Sequence, residues 1–249
     1  MKVVRDLIER AERAAGDLEV VDYVIGLGLV GVKLSDGSGG VAYNLRGDLK
    51  GECEEFFRTT EDGYGPPLLP GMKAREFIEN ALSPEPLLRS LGIATVNAVL
   101  NRGNFSRIGV LEYLNVKEDD VVGMIGKIKP FVFEILPVAR ELMVFEKARK
   151  DEVLPDWAIA SELERCTVVI ISGSSVVNWT VEWVLDYVRT DRVAIVGPSS
   201  PMVDVFPVSI IGGALIKDPD KALKILSIGG GTKALYSWGA AEKVSLVLR

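Results

Sequence analysis

Residues 167–175 read TVVIISGSS, and residues 193–201 read VAIVGPSSP. Each stretch joins an apolar run of four residues to a short loop of glycine, proline and serine. Such a run has no polar face, so it predicts a strand that is buried on both sides of a sheet. Residues 121–126, VVGMIG, repeat the pattern, and helical segments are expected between the strands. The C-terminal half therefore predicts an α/β fold with a Rossmann-like, doubly wound parallel sheet.

The chain before residue 103 shows a different pattern. Apolar residues recur at helical spacing over residues 3–14, and Gly16 is expected to end that helix. Two apolar strands are expected within residues 20–34, followed by a glycine-rich turn and a return strand that begins at Val41. This order of elements predicts a helix followed by an antiparallel meander.

The rest of the N-terminal half is expected to hold a long loop and two helices. The loop covers residues 46–69, and the helices lie within residues 72–102, the second capped by Ser83-Pro84. We therefore predict an N-terminal α+β domain over residues 1–103 and a Rossmann-like domain over residues 104–249.

The composition limits the partners that the chain is expected to bind. Of its 249 residues, 48% are hydrophobic, and the net charge is −6 with a pI near 5.0. An acidic surface disfavours non-specific binding to nucleic acid. No apolar run approaches the roughly 20 residues that a membrane span requires, so we expect a cytoplasmic protein without a membrane partner. A homo-oligomer is left open.

Two absences narrow the chemistry. The chain has no His, which excludes catalytic triads that use His, a His general base and His-ligated zinc. The two cysteines, Cys53 and Cys166, lack the spacing of a redox or zinc motif. The sequence also contains no Gln, and a scarcity of thermolabile amides is consistent with a thermophilic source.

Three loops of small residues are the candidate ligand site. In open α/β sheets ligands bind outside the carboxyl ends of the strands, and three predicted strands end in such loops. The alternative is that each loop is an ordinary tight turn, and none is a dinucleotide fingerprint or a P-loop. The candidates for ligand binding in these loops are Gly123, Met124, Gly126, Ser172, Gly173, Ser174, Gly197, Pro198 and Ser199.

Three further polar residues each have two interpretations. Asn178 and Thr180 lie at the start of the helix after the Ser172 loop, where Asn178 either orients a ligand or caps the helix. Asn97 lies in a mostly apolar helix, where it either makes a contact between the two parts of the chain or faces solvent. All three are candidates for ligand binding.

Carboxylates are the remaining groups for a hard metal ion or for acid–base chemistry. Glu146 follows a predicted strand, and Asp156 follows Leu154-Pro155. Both are candidate metal ligands, although Asp156 also suits the start of a helix, where the helix dipole favours a negative charge.

Several of these motifs together carry a family resemblance. In their order and spacing they resemble the putative heavy-metal chelation family, and the resemblance covers nearly the whole chain. Trp179 departs from the family's pattern, because a small residue is usual there. The motifs are residues 41–43 (VAY), 93–98 (IATVNA), 123–126 (GMIG) with Pro130, 154–156 (LPD), 172–180 (SGSSVVNWT) and 197–199 (GPS).

The resemblance implies an N-terminal domain like that of enolase, a Rossmann-like C-terminal domain, and a ligand in the cleft between them. It implies chelation of a metal or handling of a metallocofactor, with a divalent metal of unknown identity as the expected cofactor. Soft metals prefer thiolate and imidazole, so a site here would use oxygen ligands or would take a metal already held by a small molecule. Two alternatives stay open: a Rossmann-type enzyme that binds a nucleotide or an S-adenosylmethionine-like ligand, and a non-catalytic assembly subunit.

Overall fold

The computed structural model describes residues 2–45, 58–60, 63–64, 68–147 and 153–249. Cys53 and most of the expected loop over residues 46–69 lie outside the described residues. Among the helices of the described ranges, none combines the length and the apolar character needed to cross a bilayer.

The chain contains helices and strands in mixed order. The helices are α1 (Lys2–Ala15), α2 (Ala74–Glu79), α3 (Pro86–Leu100), α4 (Val110–Leu114), α5 (Lys129–Ile135), α6 (Ile159–Glu162), α7 (Ser174–Val177), α8 (Thr180–Asp186), α9 (Pro219–Ser227) and α10 (Thr232–Ser237). The strands are β1 (Val20–Ile25), β2 (Leu29–Leu34), β3 (Gly39–Tyr43), β4 (Arg58–Thr60), β5 (Gly63–Tyr64), β6 (Val121–Ile125), β7 (Glu141–Glu146), β8 (Leu154–Pro155), β9 (Val168–Ser172), β10 (Val193–Val196), β11 (Ile210–Ile216) and β12 (Ala241–Val247). Short 3₁₀ segments lie at Asn80–Leu82, Asp156–Ala158 and Leu163–Arg165.

The chain divides into two compact units that are not continuous in sequence. Unit 1 comprises Met1–Asp6, Gly103–Ala214 and Lys243–Arg249, and unit 2 comprises Leu7–Arg102 and Leu215–Glu242. The units thus group the chain differently from a single cut near residue 103, which stays a prediction about sequence domains.

Unit 2 is built on an antiparallel sheet in the order β1-β2-β3. Helix α3 is mostly apolar and is buried along most of its length, and it packs on β2 and β3. A Cβ atom at Gly40 would lie 2.2 Å from both the Ala94 carbonyl oxygen and the Ala98 amide nitrogen. The two alanines are four residues apart on one face of α3, so small residues on both elements bring backbone against backbone.

The other face of this sheet is covered from the far end of the chain. Leu29, Val41 and Leu226 belong to one buried cluster, which joins β2 and β3 to α9. Val41 is next to Gly40 and therefore points to the opposite face of the sheet from α3. On the surface, the Lys33 ammonium lies 2.7 Å from Asp220. Both faces of the small sheet are thus covered at β2 and β3, whereas several residues of β1 are exposed.

The start of α3 corrects one sequence expectation. The helix begins at Pro86 with Glu85 as its N-cap, two residues beyond the expected Ser83-Pro84. Glu85 is extended, as the residue before a proline prefers to be, and its N–H donates to Ser83 Oγ at 3.1 Å. Pro86, and not Pro84, therefore occupies the first helical position.

A seven-stranded sheet in the order β12-β11-β10-β9-β6-β7-β8 forms the core of unit 1. Pairing is parallel from β11 through β10, β9, β6 and β7 to β8. Along β6, Val122 and Met124 join a cluster with α4 and α5, whereas Gly123 faces Leu163 and Cys166 on the other side. Strands covered on both faces confirm the expected α/β class with a buried parallel sheet.

Candidate functional site

The carboxyl ends of five adjacent strands, β10, β9, β6, β7 and β8, form one edge of the unit 1 sheet, which we call the carboxyl edge. Its members include Gly197 after β10, Ser172 at the end of β9, Gly126 after β6 and Glu146 at the end of β7. The parallel registers place these strand ends side by side. The structure thus places the ends of these strands, where the sequence analysis predicted a ligand site, next to one another.

Gly126 lies directly against Ser172. Its φ of +82° lies in the left-handed region, and a Cβ there would come within 2.8 Å of the Ser172 Cβ. The Gly126 N–H donates to the Phe145 carbonyl at 2.9 Å. Glycine at this position lets the chain leave β6 without displacing the serine loop.

The serine loop presents two hydroxyl groups. Ser172 Oγ and Ser174 Oγ are 3.0 Å apart, and both residues are half-buried. The Gly173 N–H between them donates to the Val196 carbonyl at 2.8 Å, which ties the loop to β10. A hydroxyl both donates and accepts, so the pair can bind oxygen atoms of a ligand or contribute to a cation's coordination.

The loop after β10 mainly packs against the serine loop and presents few polar groups of its own. The Gly197 N–H donates to the Gly212 carbonyl at 2.9 Å, Pro198 has no N–H, and Ser199 is buried. A Cβ at Gly173 would lie 2.7 Å from Ser200 Oγ. The Gly173 and Gly197 amides are already bonded within the protein, so these two N–H groups are not open to an anion.

The structure corrects the location of Gly123 and Met124, which the sequence analysis placed in a loop. Both lie inside β6, and the loop begins only at Gly126. Met124 is fully buried, and a Cβ at Gly123 would lie 2.7 Å from Leu163 Cδ1 and 2.8 Å from Cys166 Sγ. Their size and shape serve the packing of the core, because apolar residues in a central strand fill space on both faces.

Asn178 acts on its own chain. Its Oδ1 atom accepts from the Thr180 N–H at 3.1 Å and from Thr180 Oγ1 at 2.7 Å, so it forms a local turn that leads into α8. Trp179 between them has a φ of +65°, which is uncommon for a bulky residue. The contacts of Asn178 thus stabilise the turn before α8, whose N-cap is Trp179, and Thr180 belongs to the same turn.

Asn97 belongs to unit 2 and is buried at 1% exposure, so the solvent-facing interpretation is wrong. Its Nδ2 donates to the Val41 carbonyl at 2.8 Å, whereas its Oδ1 is buried without a hydrogen-bond partner among the described residues. The amide thus joins α3 to β3, a structural contact within unit 2.

The two predicted metal ligands lie at the ends of neighbouring strands. Glu146 pairs with Pro155, the residue before Asp156. Glu146 Oε1 accepts from the Lys127 N–H at 2.5 Å, and Asp156 Oδ1 accepts from the Trp157 N–H at 2.9 Å. Within the described ranges, no three residues among His, Cys, Asp and Glu come together as a metal cluster. The pair can supplement a metal's coordination but does not form a complete site.

Cys166 is not available to a soft metal. It is buried against the back of β6, and burial raises the pKa of its thiol to about 12. In a Cys53→Ser variant, we expect Cys166 to react with an aromatic disulfide at least roughly a hundredfold more slowly in the native protein than in guanidinium, because the reactive thiolate is suppressed. Absorbance of the released thiol measures both rates, and equal rates would show that the thiol is exposed.

No pattern in the sequence pointed to the opposite, amino edge of the same sheet. Asp120, before β6, and Arg192, before β10, form an ion pair there with Nη1 and Oδ1 2.6 Å apart. A cavity lies beside this pair. The available signal was a charged residue immediately before β6 and another immediately before β10.

Comparison with known proteins identifies relatives of this architecture. Family models described as putative heavy-metal chelation match residues 8–100 and residues 109–245, the second being more than half of the chain. An uncharacterised protein of Methanocaldococcus jannaschii is 29% identical over 184 residues, which cover 69% of this chain and 70% of that protein.

Two crystal structures share the fold along almost the whole chain. A protein of unknown function from Pyrococcus horikoshii gives a TM-score of 0.82 at 24% identity and covers 99% of this chain and 100% of its own. One from Desulfitobacterium hafniense gives 0.77 at 21% identity, with 98% and 100% covered. At these identities the likeness shows the fold alone.

Proposed function

Since the chain belongs to the family described as putative heavy-metal chelation, we propose that it binds a small molecule that carries a metal at the carboxyl edge of the unit 1 sheet. The observation that carries the proposal is the pair of half-buried hydroxyl groups of Ser172 and Ser174, 3.0 Å apart at that edge. Parallel sheets bind their ligands on this side.

The donor atoms at this edge favour a metal that arrives with its own chelator. The chain has no His, and the Cys166 thiol is buried on the face of the sheet. Oxygen atoms of Ser172, Ser174 and Glu146 are hard donors, which suit oxygen-rich ligands and hard cations better than a bare heavy metal. The hydroxyls would then bond the chelator's oxygen atoms, and the metal would be held mainly by the chelator.

Glu146 would act beside the hydroxyl pair and not as part of it. One strand, β6, separates β7 from β9, so Glu146 and Ser172 are roughly 10 Å apart along the edge at ordinary strand spacing. That backbone separation suits a small molecule that spans the two side chains. Gly126 follows the strand between them, and its lack of a side chain leaves room for Ser172.

The test begins with protein purified without a metal-affinity tag. Native mass spectrometry identifies a bound small molecule, and elemental mass spectrometry measures the metal in the same sample. We expect the Ser172→Ala/Ser174→Ala double variant to bind the complex roughly thirtyfold more weakly, because two hydrogen bonds of about 1 kcal/mol each are lost. Ser161→Ala, which removes an exposed hydroxyl of the same unit, is the matched control.

Each result has a defined meaning. A metal and an organic ligand that are lost together in the double variant would support the proposal. An adenine-containing ligand without metal would favour the Rossmann-type enzyme, for which the parallel sheet is the supporting observation. An empty protein that no ligand stabilises would leave the assembly role, and binding unaffected by the double variant would refute the proposed site.

A further inference from the structure

The outer edge of β1 is open along part of its length. The strand lies at the end of the small sheet and pairs with β2 on one side only. On the other side its start is covered, because the Val20 carbonyl accepts from the Gly71 N–H at 2.7 Å and the Val20 N–H donates to the Met72 carbonyl at 3.0 Å. Within the described ranges, this cover does not continue along the edge toward Ile25.

The hydrogen bonds of the β1–β2 turn show which backbone groups of β1 face outward. The Gly26 N–H donates to the Leu29 carbonyl at 3.0 Å, and along an antiparallel pair bonded residues alternate with residues that are not bonded to the partner. Val24 is therefore bonded to β2, whereas the N–H and C=O groups of Tyr23 and Ile25 point away from it. In the described part of the chain these outward groups have no hydrogen-bond partner. They form a template on which a further strand can pair.

Exposed apolar side chains accompany this open edge. Val21, Ile25 and Leu27 are all exposed, Leu27 at 62%. Asp22 is the one charged residue between positions 20 and 27, and that stretch contains neither Pro nor Lys, two residues that commonly protect a strand edge. Pairing with a further strand would bury these side chains and would use the outward backbone groups at the same time.

The edge is complementary to a second copy of itself. Residues 21–27 read VDYVIGL, and two such stretches can run antiparallel about a two-fold axis at Val24. Tyr23 of each copy then lies opposite Ile25 of the other, so their outward N–H and C=O groups form four hydrogen bonds across the axis. An aromatic residue opposite a β-branched one is a favourable cross-strand pair, and the axis generates that pair twice.

The same register also suits the charged and the remaining apolar residues. Asp22 lies opposite Gly26 of the second copy, and the two Asp22 residues are roughly 14 Å apart along the strands. That separation exceeds the Debye length of about 8 Å at physiological salt, so the two carboxylates repel one another only weakly. Val21 comes opposite Leu27 of the second copy, and both are exposed in a single copy.

We propose that β1 is a dimerisation edge, at which unit 2 pairs with unit 2 of a second copy of this chain. The pairing joins two three-stranded sheets into one continuous antiparallel sheet and removes an open edge from each copy. The contact spans about seven residues of each copy and is small beside the roughly 800 Å² per partner of a standard interface, so the dimer dissociates in the range of tens of micromolar. It does not depend on the function proposed for the carboxyl edge.

Sedimentation velocity of the whole chain from about 1 to 300 µM should show a reversible equilibrium between monomer and dimer. Ile25→Pro is the decisive variant, because it removes an N–H that points outward and bonds nothing in the described part of a single copy. We expect its dissociation constant to rise at least about thirtyfold, since two of the four hydrogen bonds across the axis are lost. Ile25→Val keeps the N–H and the β-branch, and this matched control should stay within about threefold of the wild type.

Disulfide formation tests the register independently. In a Cys53→Ser background, Val24→Cys should oxidise to a covalent dimer, because directly opposed residues of this kind have Cα atoms about 4.5 Å apart, within disulfide reach. Lys221→Cys in the same background places an exposed thiol on α9 and should yield far less covalent dimer at equal concentration.

Three results would overturn the proposal. The first is a wild type that stays monomeric up to about 300 µM. The second is equal dimerisation of Ile25→Pro and Ile25→Val, with hydrogen exchange at β2 showing that both are folded. The third is a dimer that Phe133→Asp abolishes and Ile25→Pro does not, because Phe133 is exposed on unit 1 and would assign the contact to another surface. If Ile25→Pro does not fold, the covalent dimer of Val24→Cys decides, and its absence refutes the pairing.

Discussion

Replacing Gly40 with alanine is expected to destabilise unit 2 by about 3 kcal/mol or more, at the top of the range for an added methyl group in a packed core. The added Cβ would lie 2.2 Å from the Ala94 carbonyl oxygen, 2.2 Å from the Ala98 amide nitrogen and 2.8 Å from the Ala98 Cα. All three are backbone atoms, so no side-chain rotation relieves the overlap. The helix must move away from β3, and the buried contact between Asn97 and Val41 must lengthen with it.

Hydrogen exchange measured by mass spectrometry on peptides of α3 reports this change locally, and the urea midpoint reports its size. Gly28→Ala is the matched control: it lies in the same meander, a Cβ there meets nothing within 4 Å, and its φ is not in the left-handed region. We expect the control to stay within about 0.5 kcal/mol of the wild type. If both variants exchanged alike, α3 would not lie against the backbone of β3.

The strands of the large sheet were predictable because their signal is local. VVII at residues 168–171 and VAIV at residues 193–196 are apolar without interruption, and a strand buried on both faces requires that pattern. Glycine misled the prediction at Gly123, where it was interpreted as part of a loop. Gly123 lies within β6, where the absence of a side chain leaves space for Leu163 and Cys166. That packing requirement becomes visible only in the folded structure.

Contacts between distant parts of the chain were not predictable. Residues 215–242 belong with residues 7–102 in unit 2, because Leu226 packs with Leu29, and no periodicity of a single segment shows this. In the candidate site, too, some features could be predicted from the local sequence and others depend on contacts with distant residues. The strand-end rule placed Ser172 and Ser174 at the carboxyl edge, but whether the neighbouring amides are open or bonded depends on the partner strand.

Loss of the Asp120 carboxylate is expected to destabilise unit 1 by about 3 kcal/mol, the second large effect. The side chain is 6% exposed, and Arg192, Thr167 and the Lys117 N–H all donate to it. Asp120→Ala leaves the guanidinium facing an apolar gap and removes partners from two other donors. Because Arg192 is about a third exposed, water offsets part of the loss, which places the effect at the lower end of the range for buried pairs.

Asp191→Ala is the control for this variant. Asp191 pairs with Arg249 at 2.7 Å on the same edge, but its side chain is 92% exposed. Exposed pairs contribute less than about 1 kcal/mol, so this variant should unfold nearly as the wild type does. Urea denaturation with exchange monitored on β6 and β10 peptides compares the two. Equal losses would mean that Asp120 is as solvated as Asp191.

The same network predicts how stability depends on pH. Burial by itself would raise the pKa of Asp120, but the hydrogen bonds from Arg192, Thr167 and the Lys117 N–H outweigh it and lower the pKa to about 2. A carboxyl whose pKa is lower in the folded state stabilises the protein above its unfolded pKa, and that contribution is lost as the pH falls through the folded pKa. The difference in unfolding free energy between the wild type and Asp120→Ala should therefore be constant above about pH 5 and should shrink as the pH falls toward about 2. A difference that stayed constant over this range would show that the variant loses packing and not an ion pair.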